Sequence, residues 1–486
     1  MQMVMKNFIQ TLLVSASPFL SLGASAEVRF PNVIANGMVL QQCTEAALWG
    51  TATPGSAVKI TPSWSQAVKT VKTDKNSKWH TSIATPVAGG PYSIRFDDGQ
   101  VKELADIYVG EVWLCSGQSN MGLSVGRCLK EGEKFDFIPS PGLHIFKVEN
   151  QLSLMPVKDV KASWQTPTAE NTPGFSAICY YFGRELQKYL VVPVGILQVA
   201  HGGSSQESWL AEKHLDGIPS MAEALAKASK SDPDEKNKKN KIPTTCYNGM
   251  LAPVIPFTVR GVCWYQGEAN TSYPETYSVL LERMIDSWRA AWDNPQMPFI
   301  IAQLAGFNPK GDQATGWVDV QMEQIAISSR KPGVATVLNY DIGEARDIHP
   351  KNKIESARRF LLAARKLAYG ENILAQGPEA TSIVFSGNKA VITYKSTGTG
   401  TGLVLTGGEL LNNFYIAGAE KKFHPATARI VPPDRIEVFS HEVPQPKYVD
   451  YATKTFNSDV NFYNDAMLPA VPFRMADDGV GQNKEL

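Results

Sequence analysis

The chain predicts an α/β protein: a three-layer α/β/α domain on a parallel sheet, flanked by an all-β module at each end. Three observations carry this. Between about Asp106 and Gly370, apolar strand-like runs alternate with amphipathic helical segments, the pattern of right-handed βαβ units. Before that stretch lie short alternating runs punctuated by Gly and Pro, and from Ile373 onward short strand-like runs return. The 486 residues agree with roughly three domains at ~150 residues each. The expected boundaries are 27–104, 105–372 and 373–486, preceded by a leader at 1–26.

Composition narrows the class. The chain is 43% hydrophobic and 19% charged, with 47 basic and 47 acidic residues. A zero net charge lacks the basic excess that displaces counterions from nucleic-acid phosphates, so no nucleic-acid partner is expected. It also lacks the acidic, aromatic-poor signature of a disordered chain. Lys6, the mostly apolar run Phe8 to Leu22 and the small residues Ala24-Ser25-Ala26 read as a secretory signal peptide, too short and interrupted for a membrane span. Export to a periplasmic or extracellular location is therefore expected. Removing the leader leaves 46 basic against 47 acidic residues. Six cysteines include no CxxC pair, and Cys115 and Cys263 sit in apolar runs, so no pairing is assigned.

In the first module, Met38-Val39-Leu40, Ala47-Leu48-Trp49, Val58-Lys59-Ile60 and Tyr92 to Phe96 are strands separated by turns such as Pro54-Gly55 and Asp98-Gly99. Trp49, Trp64 and Trp79 fit the core of such a sandwich better than a sugar-stacking face. In the central region, strands are expected at 109–115, 194–200, 259–265, 298–304 and 333–338. Helices are expected at 178–190, 274–292, 318–329 and 353–369. The Lys-rich 229–241 stretch reads as a solvated loop. The last module has strands at 382–385, 389–394, 403–405, 427–431 and 435–439, with the turn STGTGTG at 396–402.

Ligands of parallel sheets bind at the carboxyl ends of strands, so the loops after these strands are where chemistry belongs. Four of them carry it together. Ser119, in Gly117-Gln118-Ser119-Asn120, is a hydroxyl on a tight post-strand turn, where a serine nucleophile sits. Gly202-Gly203-Ser204 lets backbone N–H groups approach a developing oxyanion, with Gly203 the favoured donor. Gln266, in WYQGEAN, offers a neutral side-chain amide to the same oxyanion, and Glu268 stands two residues on. In the fourth loop His349 precedes Pro350, and Asp347 is near enough to orient its imidazole; Asp341 and Glu344 are the reserve acids. Each loop alone reads as a turn or a cap. Jointly they supply nucleophile, oxyanion donors, base and orienting acid, and so imply a serine esterase.

GQSNM (117–121), the Gly202-to-Trp209 segment, WYQGEAN (264–270) and DIHP (347–350) resemble the four blocks of the SGNH hydrolases. The likeness is to the branch of sialate O-acetylesterases and related carbohydrate acetylesterases. GMVLQ (37–41), YNGMLAP (247–253) and NDAMLPAVPFR (464–474) extend it over nearly the whole chain. The resemblance implies a flavodoxin-like SGNH fold. It also implies a nucleophile at Ser119, a base at His349 and an oxyanion hole of Ser119, a glycine of the second block and Gln266; Gly203 is favoured over Gly202 because it is next to the turn into the helix. The superfamily places its Asp three residues before the His, where this chain has Arg346; Asp347 matches the form of this branch. Gln118, Asn120, Glu268 and Arg346 are expected around the site. No metal or cofactor is implied. The expected substrate is an O-acetylated sugar, acetylated sialic acid first, with Arg127 or Arg346 available for its carboxylate. Acetylated xylan is the alternative substrate, and a non-catalytic carbohydrate-binding protein the alternative class.

Overall fold

The computed structural model describes residues 27–476, apart from Gln66, 229–238, 309–315, 396–397 and 399–401. The expected leader, most of the Lys-rich loop and most of the STGTGTG turn lie outside the described residues. The N-terminal module comprises β1 (Val39–Gln41), β2 (Glu45–Thr51), β3 (Ala57–Pro62), β4 (Lys69–Lys72), β5 (Lys78–Ala84) and β6 (Gly89–Asp97). Its strands alternate as half-buried strands must: in β3, Val58 and Ile60 point inward between exposed Ala57 and Lys59. β2 pairs with β5, and β3 with β4 and β6, all antiparallel. Trp79 on β5 fills the space between the two sheets, edge-on to Phe30 and tilted against Phe96. It is a core residue, and Trp64 packs edge-on to Tyr92.

β7 (Val101–Gly117) joins this module to the next without interruption. Over residues 101–109 it pairs antiparallel with β6; over 111–117 it becomes the centre of a parallel sheet. The expected boundary at 104/105 falls inside this one strand, and the module's core is continuous with that of the central domain. After β7 come two single-turn helices, α1 (Ser119–Gly122) and α2 (Val125–Cys128), then β8 (Leu143–Lys147), β9 (Trp164–Gln165), α3 (Ala177–Leu190) and β10 (Val194–Ala200). They are followed by α4 (Pro219–Ala228), β11 (Gly261–Tyr265), α5 (Tyr277–Ala291), β12 (Phe299–Ala302), α6 (Trp317–Arg330), β13 (Val334–Val337) and α7 (Lys353–Leu367). The strand order is β13-β12-β11-β7-β10-β8-β9, parallel except for β9. α3 packs with α7 and α5 with α6, covering the two faces. β8 and β9 were not expected. They are joined by a loop with no helix, so the strand–helix alternation does not announce them.

All six cysteines are free thiols; Cys115 and Cys263 are buried register partners on β7 and β11. Among the described residues, no helix is long and apolar enough to cross a membrane. The C-terminal module has a core of its own, in which Phe414, Tyr451, Phe462 and Phe473 cluster. One antiparallel sheet contains Glu379–Ser386, Lys389–Lys395, Arg435–Phe439 and Thr427–Val431. A second contains His424–Pro425, Phe414–Ala417, Tyr448–Tyr451 and Phe473–Ala476, none of which the sequence announced. Leu338 and Tyr340, on the loop leaving β13, are built into this second core.

Candidate active site

The carboxyl ends of β7, β10, β11 and β13 bring the four expected loops to one edge of the parallel sheet. At the end of β7, Gly117 has φ +140°, and a Cβ there would lie 2.0 Å from the carbonyl oxygen of Tyr265, its register partner. Only glycine lets the two strands converge this closely. The Gln118 N–H then donates to the same Tyr265 carbonyl (3.0 Å), and the chain turns into α1 with Ser119 first.

Ser119 Oγ lies 2.8 Å from His349 Nε2 although 230 residues separate them. The imidazole is partly exposed, and burial holds its pKa below the ordinary histidine value, with nearby Lys353 and Arg127 acting in the same direction. A neutral ring with Nε2 on the serine hydroxyl is set to accept its proton. Asp347 Oδ1 accepts the His349 backbone N–H (2.9 Å) and stands 3.7 Å from Nδ1. It therefore acts on the ring as a charge, raising its pKa, more than as a hydrogen-bond partner. The reserve acids are engaged elsewhere. Asp341 is buried in a bidentate pair with Arg359 (2.6 and 2.7 Å), and Glu344 Oε1 accepts the Lys351 backbone N–H (2.9 Å).

The amide expected to meet the oxyanion is redirected. Gln266 is fully buried, and its Nε2 donates to Asn270 Oδ1 (2.7 Å) and Ser204 O (3.2 Å). Both its hydrogens are taken, so Gln266 braces the second loop against the third and is not a free donor to the serine. Gln118 is the amide left available. Its Oε1 accepts the N–H groups of Gly267 and Ala269 (both 3.3 Å), which fixes the orientation of the amide. Among the described residues Nε2 has no acceptor, and it is not sealed from solvent. The N–H groups of Ser119, Gly202 and Gly203 likewise have no protein acceptor among the described residues. Of the two glycines, Gly202 lies against the serine: a Cβ on it would sit 3.8 Å from Ser119 Cβ, whereas one on Gly203 would meet Asn240.

Beneath this edge, polar side chains lock the loops together. Asn270 Oδ1 also accepts the Gln206 N–H (2.9 Å), and Glu207 accepts from Asn270 Nδ2 and the Tyr273 hydroxyl (both 3.1 Å). Asn120 and Glu268 are bonded to each other, as their placement in the first and third loops allows. Arg127 and Arg346 are both exposed and carry no ion pair among the described residues. Two buried cations, Lys353 and Arg359, escaped the sequence reading. Their signal was the helical period of α7, where Lys353 lies on the same face as Ser356, Ala357 and Phe360.

Residues 109–358 match the family model described as carbohydrate esterase, sialic acid-specific acetylesterase. The mouse sialate O-acetylesterase is 29% identical over 418 residues, covering 74% of this chain and 77% of that protein. The human sialate O-acetylesterase is 28% identical over 433 residues, covering 80% of each. A carbohydrate acetylesterase from Xanthomonas citri, known from its crystal structure, superposes with a TM-score of 0.82 at 33% identity, over 92% of this chain and 99% of that one. With this fold and these loops, the chain is a carboxylic ester hydrolase and belongs to the carbohydrate esterase family of sialic acid-specific acetylesterases.

Proposed function

We propose that this esterase removes O-acetyl groups from sugars, acetylated sialic acid foremost, by a two-step acyl transfer on Ser119. The observation that carries the reading is the 2.8 Å contact between Ser119 Oγ and His349 Nε2. His349 takes the hydroxyl proton as Oγ bonds to the acetyl carbonyl carbon. The oxyanion that forms is held by the N–H groups of Ser119 and of the Gly202-Gly203 turn, of which Gly202 lies against the serine. The third donor is Gln118 Nε2, taking the role that the sequence suggested for Gln266. His349 then returns the proton to the sugar oxygen as the C–O bond breaks. Water, deprotonated by the same ring, hydrolyses the acetyl-enzyme. Asp347 stabilises the imidazolium formed in each step.

One feature supports an anionic sugar. Arg127 and Arg346 are exposed cations without ion-pair partners among the described residues, and both lie by the base: Arg127 acts electrostatically on His349, and Arg346 is three residues from it. A substrate carboxylate would supply the missing partner. Export through the N-terminal leader fits a polysaccharide or glycoconjugate substrate outside the cell.

The test is acetate release by the wild type and by Ser119→Ala from O-acetyl sialic acid, acetylated xylan and 4-nitrophenyl acetate. Ser119→Ala should lose activity on all three, and retained wild-type turnover would remove Ser119 from the mechanism. The wild type should prefer the sialate. A preference for xylan would leave the esterase chemistry intact and assign a neutral substrate.

A further inference from the structure

One buried amide joins the two halves of the reacting pair. Asn120, which follows Ser119, is 1% exposed. Its Nδ2 donates to Glu268 Oε1 (2.5 Å) and to the carbonyl of Ile348 (2.9 Å), the residue before His349. Its Oδ1 accepts from Lys353 Nζ (2.6 Å). The side chain beside the nucleophile thus holds the backbone beside the base. The link works in only one orientation of the amide. If it flipped, an oxygen would face the Glu268 carboxylate and the Ile348 carbonyl, and an NH2 group would face the lysine. Each of those contacts is repulsive or unbonded among side chains this deeply buried.

We propose that Lys353 and Glu268 are positioning residues: together they clamp the Asn120 amide so that it ties the Ser119 turn to the His349 loop. The inference rests on the reading of Ser119 and His349 as nucleophile and base.

Three further observations support it. Lys353 occupies the first position of α7, where the helix dipole favours an anion, yet it is 1% exposed. A cation is tolerated there because Nζ also lies over the face of Tyr265, 5.2 Å from the ring centroid. Among the described residues Glu268 Oε2 is buried with no hydrogen-bond partner, and Asn120 is the one side chain that hydrogen-bonds the carboxylate. Finally, burial draws the two groups toward neutrality, lowering Lys353 to about 8 and raising Glu268. The other charged or titratable groups facing Lys353 are Cys128 at the end of α2, and Glu344 and Asp347 on the base loop. Those acting on His349 are Asp347, Lys353 and Arg127.

The test is the pH dependence of kcat and KM for 4-nitrophenyl acetate in the full chain, with thermal melts as a check of folding. Lys353→Met should lower kcat about 10- to 100-fold while KM changes less than about twofold, because a loosened nucleophile–base geometry affects chemistry and not binding. Its acid limb should also move to higher pH, since the removed charge disfavours the His349 imidazolium. That shift reports only the charge, which acts on His349 through space; the fall in kcat at nearly constant KM in a variant that melts like the wild type is what a purely structural lysine would not produce. Glu268→Gln keeps an oxygen for Asn120 and should lose less activity, but its alkaline limb should move to lower pH as Lys353 loses its counter-charge. A folded Lys353→Met with wild-type kcat would overturn the proposal, wherever its acid limb lies. If Lys353→Met fails to fold, an unmoved alkaline limb in Glu268→Gln does so instead. A fluorophosphonate serine probe separates the two readings. Failure to label the wild type overturns the Ser119 assignment itself, whereas labelling with unperturbed clamp variants overturns only the clamp.

Discussion

The N-terminal β module reaches Ser119 through the chain itself: β7 leaves that module, crosses the parallel sheet and ends at the nucleophile turn, within one continuous core. The C-terminal β module reaches His349 through side chains. Leu338 and Tyr340 insert into its core, and the Tyr340 hydroxyl donates to Ala470 O (2.7 Å). Asp341, on the same loop, pairs with Arg359 and accepts from the Tyr463 hydroxyl (3.3 Å). Arg358 on α7 donates to the carbonyls of Ala466 and Met467 (3.2 and 3.1 Å). Ser119, the proposed nucleophile, is thus placed by a strand that runs through the shared core, and His349, the proposed base, by a docking surface with separable contacts. Damage to the first half should appear as misfolding, and damage to the second as a folded enzyme with a misplaced base.

The chemical pair itself should show the largest effect. His349→Ala removes the proton acceptor and should reduce kcat on 4-nitrophenyl acetate by about 10⁵–10⁶-fold, as in serine hydrolases whose base is deleted. Its thermal midpoint should stay near the wild-type value, since the ring is partly exposed and bonded to little else. A loss below about tenfold would show that another group accepts the proton.

Asp341→Ala attacks the docking surface. It breaks the bidentate ion pair of the buried Arg359 guanidinium, which keeps Glu355 and the carbonyl of Leu338; breaking a buried pair costs about 3–5 kcal/mol, and the remaining Glu355 places this case at or below the lower end. Chemical denaturation should record that loss, and kcat should fall with it although Asp341 touches neither reacting residue. Unchanged kcat in a destabilised Asp341→Ala would mean that the base loop keeps its place without the C-terminal grip.

On the Ser119 side, Gln118→Ala and Gln266→Ala separate the amide the sequence placed around the site from the one it placed in the oxyanion hole. Gln118→Ala should lower kcat by about 10²–10³-fold, the typical loss for one oxyanion donor, with KM little changed. Gln266→Ala should act mainly on stability, because its N–H groups hold Ser204 and Asn270. The reverse result would return the oxyanion to Gln266.

That exchange of roles illustrates what was legible. The four loops could be located from sequence because each lies where an apolar run ends, and a parallel sheet exposes those ends together. The helices of the central domain follow from their period for the same reason. The direction of the Gln266 amide was not legible, because it depends on which acceptors surround it, here Ser204 O from the second loop and Asn270 Oδ1 from its own. Lys353 and Arg359 were passed over because a charge at a helical core position is read as an exception until its partners are known. The second sheet of the C-terminal module was missed because strands such as Phe414–Ala417 are short and paired far along the chain, with Tyr448–Tyr451.

The acid gives the smallest effect and the finest comparison. In a buried triad the carboxylate bonds directly to the histidine; here Asp347 is 45% exposed and 3.7 Å from Nδ1, so solvent screens much of its attraction. Asp347→Asn should therefore lower kcat only about tenfold, roughly 1.4 kcal/mol of transition-state stabilisation. The sign of its pH effect is fixed. Asp347 favours the imidazolium, so its removal lowers the His349 pKa further and carries the acid limb of kcat/KM to lower pH. Lys353→Met moves the same limb the opposite way. Two substitutions of opposite charge, shifting one titration in opposite directions, would identify that titration as His349. If both limbs moved together or stayed still, the acid limb would belong to another group.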